Sequence, residues 1–124
     1  MLCAPDAVGA IATEVLAEEQ QAFFSARDVS EALSDAAVIY PSVILVGGAS
    51  TQAVVRSCRE LRASPACRNA VIVAVSKQPE DAAALVDAGA DDFVAESVTK
   101  ELLRGRLSLA RRTADRRAAE TATS

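Results

Sequence analysis

Pro41-Ser42-Val43-Ile44-Leu45-Val46-Gly47-Gly48 decides how this chain is read. Four apolar residues stand without a break between a Pro-Ser pair and a glycine pair. Such a run, bounded by turn formers, predicts a strand buried on both faces at the centre of a parallel sheet. Val71-Ile72-Val73-Ala74-Val75, closed by Ser76, repeats the pattern. In an open α/β sheet, ligands and chemistry sit beyond the carboxyl ends of the central strands. This chain places Gly47-Gly48-Ala49-Ser50-Thr51 there, a stretch with almost no acid, base or metal-binding capacity.

Outward from that strand, periodicity and capping signals alternate. Leu2-Cys3-Ala4 predicts a short strand stopped by Pro5-Asp6, and Val8, Ile11, Val15 and Leu16 form one stripe of a helix. Ala22-Phe23-Phe24-Ser25-Ala26 predicts a second strand. Asp28 and Glu31 have capping-box spacing and open a helix with Ala32, Leu33 and Ala36 inward. Ser50 or Thr51 caps a helix with Val54, Val55, Cys58 and Leu61 on its apolar side, ending near Ala63-Ser64-Pro65. Pro79-Glu80-Asp81 starts a helix that packs through Ala84, Leu85 and Ala88, with Gly89 as its left-handed stop. Phe93-Val94-Ala95 is the last strand, and a long helix from about Thr99 turns Leu102, Leu103, Leu107 and Ala110 inward. Strand and helix alternate five times, which predicts a doubly wound, five-stranded parallel sheet with helices on both faces. The domain is expected over residues 1–112. Residues 113–124 are expected to be a helical extension, with a short dimer seam through Ala114 and Thr121, or a frayed tail.

Composition narrows the chemistry. With 124 residues, 51% hydrophobic and 24% charged, the chain is a single globular domain with an aliphatic core, since aromatics are only 3%. Three cysteines form no Cys-x-x-Cys pair, and there is no histidine, which removes Ser-His and Cys-His nucleophile systems. Unpaired thiols and the lack of a membrane-length apolar run lead us to expect a cytoplasmic protein with no membrane association. Residues 1–98 carry 14 acids and 6 bases, whereas residues 99–124 carry 7 bases and 3 acids. With no aromatics among these bases, the basic end reads as a solvated helical face rather than a nucleic-acid surface.

Three stretches resemble the receiver domain of bacterial two-component response regulators: Pro41 to Val46, Leu61-Arg62-Ala63-Ser64-Pro65, and Ala88-Gly89-Ala90-Asp91-Asp92-Phe93 followed by Glu101-Leu102-Leu103. The resemblance covers about residues 2–112. It implies a CheY-like, flavodoxin-like sheet in the order 2-1-3-4-5. It also implies a phosphorylation site built from an acidic pair, a phosphoacceptor aspartate, a Ser or Thr, and a lysine, with magnesium. Carried over residue by residue, the phosphoacceptor falls on Gly47 and the lysine on Glu96, while Asp6 alone remains of the acidic pair. Ser76 keeps the hydroxyl position, and Phe93 stands where the family has a switch aromatic. Asp91 and Asp92 are implied to be structural. The chain thus resembles a pseudo-receiver without its phosphoacceptor, and no cofactor or metal is expected.

Three functions follow as expectations. The first is a phosphorylation-independent binding module in two-component or phosphorelay signalling. It would meet a signalling protein or fused output domain through the face of the fourth helix, fifth strand and fifth helix. The second is a small-ligand sensor that holds an anion or nucleotide at Gly47–Thr51, where Gly48, Ser50 and Thr51 offer amides and hydroxyls at a helix start. That stretch is neither a Gly-x-Gly-x-x-Gly nor a Walker A loop. The third is an enzyme using Ser50, Ser76 or Cys58. Without histidine or a placed lysine, catalysis is not expected.

Overall fold

The computed structural model describes residues 1–4 and 6–123, with side chains as far as 120. The readings placed on Pro5, on the Thr121 side chain and on Ser124 lie outside the described residues. Four parallel strands lie side by side in chain order: β1 (Leu2–Cys3), β2 (Val43–Val46), β3 (Val71–Ser76) and β4 (Asp92–Ala95). Register is continuous, with Leu2 opposite Leu45, Val43 opposite Val71, and Val73 opposite Asp92.

The expected five-stranded sheet in the order 2-1-3-4-5 is therefore corrected to four strands in the order 1-2-3-4. Residues 22–26 do reach the outer side of β1, where Leu2 donates its amide to the Phe24 carbonyl (2.7 Å) and Ala26 donates to the Leu2 carbonyl (2.8 Å). They form only one parallel bridge, Leu2 with Ser25. A ladder can be no longer than its shorter member. β1 has two residues, of which only Leu2 turns its backbone groups outward, while the Met1 and Cys3 carbonyls accept from Leu45 and Gly47 of the β2 side.

Five helices cover both faces. α1 (Ala7–Glu18) and α5 (Lys100–Thr123) lie on one face, and α2 (Val29–Ile39), α3 (Thr51–Ala63) and α4 (Ala82–Asp87) lie on the other. Alternation along the strands divides the core. Ile44, Val46, Ile72 and Ala74 pack towards α2–α4, while Leu45, Val71, Val73 and Val75 pack towards α1 and α5. β2, and β3 as far as Val75, are apolar without a break because they are buried on both sides.

Helix starts follow the capping signals. Asp28 accepts from the Glu31 amide at 2.9 Å, and Ser50 accepts from the Ala53 amide at 3.2 Å. Pro79–Asp81 is a 3-10 turn, so α4 begins only at Ala82. Gly89 has φ 110°, the left-handed stop its position demanded. Leu102 and Ala84 are exposed, against expectation. Neighbouring helical residues point about 100° apart, so with Leu103 in the core Leu102 cannot share it.

The amino end of the sheet is braced by polar groups. The Arg62 guanidinium donates to the carbonyls of Gly89 (2.8 Å) and Ala70 (2.9 Å) and to Asp91 Oδ2 (2.7 Å). Asp91 also accepts from the Ile72 amide at 2.8 Å and from Arg117 at 2.7 Å. Burial pushes the Asp91 carboxyl up. The Arg117 guanidinium, the Ile72 amide and the Arg62 charge outweigh this and hold it below the usual carboxylate value. Arg117 thereby fixes the far part of α5 to the body. At the other end of α5, Glu18 of α1 pairs with Lys100 and Arg104.

Candidate functional site

The carboxyl ends of β1–β4 bring together Asp6, Gly47, Ser76 and Glu96, the positions singled out in the sequence. Asp6 caps α1, its Oδ1 accepting from the Gly9 amide at 3.1 Å. Its Oδ2 is buried and has no hydrogen-bond partner. That oxygen occupies the room in front of Gly47. A Cβ built on Gly47 would lie inside contact distance of Asp6 Oδ2, 3.0 Å from Asp6 Cγ and 3.2 Å from Ala4 Cβ. Gly47 therefore does more than lack a nucleophile. Its missing side chain is what lets the Asp6 carboxylate turn inward.

The remaining positions are engaged locally. Ser76, buried at the end of β3, donates its hydroxyl to the Gln78 carbonyl at 2.7 Å. Glu96 pairs with Lys77 at 3.2 Å, and its amide donates to the Ser76 carbonyl. A lysine is thus present beside Ser76, but it neutralises Glu96. In the β2–α3 loop, Ser50 spends its oxygen as a helix cap. Thr51 donates its hydroxyl to Asp81 Oδ2 at 2.7 Å, and Asp81 also accepts from the Gln78 amide at 3.1 Å. This tie between the loops after β2 and β3 was not foreseen, since Asp81 read only as a helix-start acid. An anion at Gly48–Thr51 would meet the Asp81 carboxylate across the loop.

The fold's customary magnesium does not fit these residues. A hard cation needs several oxygens. Asp6 contributes one free oxygen, Gly47 contributes no side chain, and the described residues hold no group of three acids or cysteines suited to a metal. Cys3 and Cys58 are buried, and burial pushes both thiols up to about 11, so neither is a nucleophile at neutral pH.

On the flank, Phe93 is 37% exposed on β4, with Val86 of α4 and Leu102 and Leu109 of α5 exposed as well. Leu102, Arg106 and Leu109 follow one helical stripe, and Arg106 pairs with Asp92 at the start of β4 (3.3 Å). That pair sets the stripe alongside the strand. Among the described residues no helix is long and apolar enough to cross a membrane.

No family model matches the chain, and no curated protein is similar to it in sequence. Its fold matches solved receiver domains. The receiver domain of a signal transduction histidine kinase from Syntrophus aciditrophicus is 19% identical, with a TM-score of 0.72 over 92% of this chain and 87% of that one. NtrX from Brucella abortus is 16% identical, with a TM-score of 0.83 over 99% of this chain but 28% of NtrX, so there the matched fold is one part of a longer chain. The chemotaxis response regulator CheY4 of Vibrio cholerae is 16% identical, with a TM-score of 0.74 over 88% of this chain and 93% of that one. The architecture is that of a response-regulator receiver.

Proposed function

We propose that this chain is a pseudo-receiver: a signalling module on the receiver fold that works by phosphorylation-independent protein–protein interaction. The observation that carries this reading is the Asp6 carboxylate standing where an acceptor side chain at position 47 would project. A phosphoryl group brought there would find no nucleophile. It would also face the Asp6 carboxylate, which would repel it by about 1 kcal/mol or more at close range. The reading assigns no catalytic step to the module. Binding falls to the α4–β4–α5 face, where Val86, Phe93, Leu102 and Leu109 present apolar surface around the Arg106–Asp92 pair. Its partner is a signalling protein or an output domain, and without a phosphoryl trigger the face is offered in one fixed form. The competing anion-sensor reading at Gly47–Thr51 is weakened by the commitments of Ser50 and Thr51 and by Asp81.

Two experiments test the proposal. An amide NMR titration with magnesium and beryllofluoride should leave Gly47, Ser76 and Glu96 unmoved, and saturable shifts there would overturn the phosphate-blind part. Proximity labelling in the source cell should recover a signalling partner with the wild-type chain. Leu102→Glu and Leu109→Glu, both folded, should lose it, and equal recovery by both would remove this face from the account.

A further inference from the structure

α4 has six residues and supplies Val86 to the α4–β4–α5 face. A helix that short does not hold itself in water, so its placement comes from its attachments. Leu85 is its one buried residue, with Ala88 buried just beyond its end. Asp87, its only polar side chain, is exposed and makes no hydrogen bond or ion pair among the described residues. The polar attachments lie at the two ends, and α3 supplies a side chain to each.

At the exit, Arg62 donates to the Gly89 carbonyl from Nε (3.1 Å) and Nη2 (2.8 Å), and also holds Asp91 and the Ala70 carbonyl. At the entry, Thr51, the first residue of α3, donates its hydroxyl to Asp81 Oδ2 at 2.7 Å. The same oxygen accepts from the Gln78 amide (3.1 Å), and the Gln78 carbonyl accepts from the Ser76 hydroxyl (2.7 Å). α3 thus grips α4 at two points about 16 Å apart along its own axis. The grips are unequal, with a branched guanidinium at the exit and a single hydroxyl at the entry.

We infer that Thr51 is a positioning residue for the docking face: its bond to Asp81 holds the entry of α4, and through it the set of Val86. This rests on the α4–β4–α5 reading above and adds what fixes the α4 side of that face. With Gly89 held by Arg62 and Leu85 in the core, releasing Asp81 frees residues 79–84 to swing about the exit end, which tilts Val86. A hydrogen bond to a carboxylate is among the stronger kinds, so one such bond is enough to bias so short a helix. Thr51 directly follows Gly47–Ser50, so the loop that lacks an acceptor ends on the residue that sets the face. The carboxyl end of β2 and the docking face are joined without a phosphoryl group.

The test is amide hydrogen exchange by NMR on the full chain. Thr51→Val keeps the shape and removes the hydroxyl. It should speed exchange at Ala82, Leu85 and Val86 about tenfold and leave Leu45 and Ala90 as in the wild type. Thr51→Ser, which restores the donor, should return the wild-type rates. In the proximity labelling described above, Thr51→Val should recover less of the partner and Thr51→Ser as much as the wild type. The inference is overturned if exchange at Ala82, Leu85 and Val86 is unchanged, or if every amide speeds up together, which would mark a general loss of stability. It is equally overturned if Thr51→Val opens α4 yet recovers the partner fully. Failure of the docking reading itself shows separately, as full recovery by Leu102→Glu and Leu109→Glu.

Discussion

Asp6 and Asp91 sit at opposite ends of the same sheet and have opposite fates. Asp91 receives four hydrogen bonds, from Arg62, Ile72 and twice from Arg117, and joins α3, β3 and α5. Asp6 uses one oxygen as a helix cap and leaves the other buried and unpaired. Polar groups around Asp91 are arranged for bracing, because Arg62, the Ile72 amide and Arg117 all donate to it. At the carboxyl end, a carboxylate has moved into a place the chain left open. A buried carboxylate oxygen without a donor costs stability, whereas a network as complete as that of Asp91 returns it. Rigidity is concentrated at the amino end, where Asp91 ties three elements together.

The largest test of this contrast is steric. A Cβ at Gly9 would collide with the Ala4 carbonyl oxygen, which as backbone cannot turn aside. Gly9→Ala should therefore lose about 3 kcal/mol in urea unfolding, displacing the Asp6 cap with it. At the braced end, Asp91→Ala should cost about 2 kcal/mol, less than a fully buried pair because Arg62 and Arg117 can reach water. A loss below about 0.5 kcal/mol would show that the network is ornament to an already rigid helix. Gly47→Asp should destabilise by about 1–2 kcal/mol through crowding and like charge, and Asp6→Ala should recover most of that loss in the double variant. Additive losses would break the claim that the two positions share one space.

The next effect is titration. The Asp91 carboxyl is held below its ordinary value of 3.8, so its contribution is complete above that pH and is lost as the pH falls through its folded value. Asp91→Asn should flatten the stability profile below about pH 4 and leave its slope near pH 7 unchanged. The smallest effect is chemical: iodoacetamide at pH 8 should leave Cys3 and Cys58 unmodified in the folded chain and alkylate both in urea.

The sequence showed the central strands because residues buried on both faces must be apolar throughout, and it showed helix starts because Asp28 and Ser50 are chemically suited to them. It misled at residues 22–26, whose composition suits a strand but whose length of pairing is set by a two-residue neighbour. It misled at Leu102, where two adjacent leucines compete for one core position. That Gly47 offers no side chain was legible in its name. That Asp6 fills the gap was not, because the two are 41 positions apart and only folding brings them together. Lys77 against Glu96 and Thr51 against Asp81 are likewise pairings between loops, which no local pattern encodes.

α5 runs for 24 residues, about 36 Å, and its inward stripe of Leu103, Leu107, Ala110 and Ala114 ends on Arg117. The hold of Arg117 on Asp91 thus fixes the helix in azimuth as well as in position. Adding or removing one residue between Ala114 and Arg117 would swing the guanidinium by about 100° off its carboxylate. The helix end behaves as an indexed shaft, with Asp91 as the pin that sets its phase.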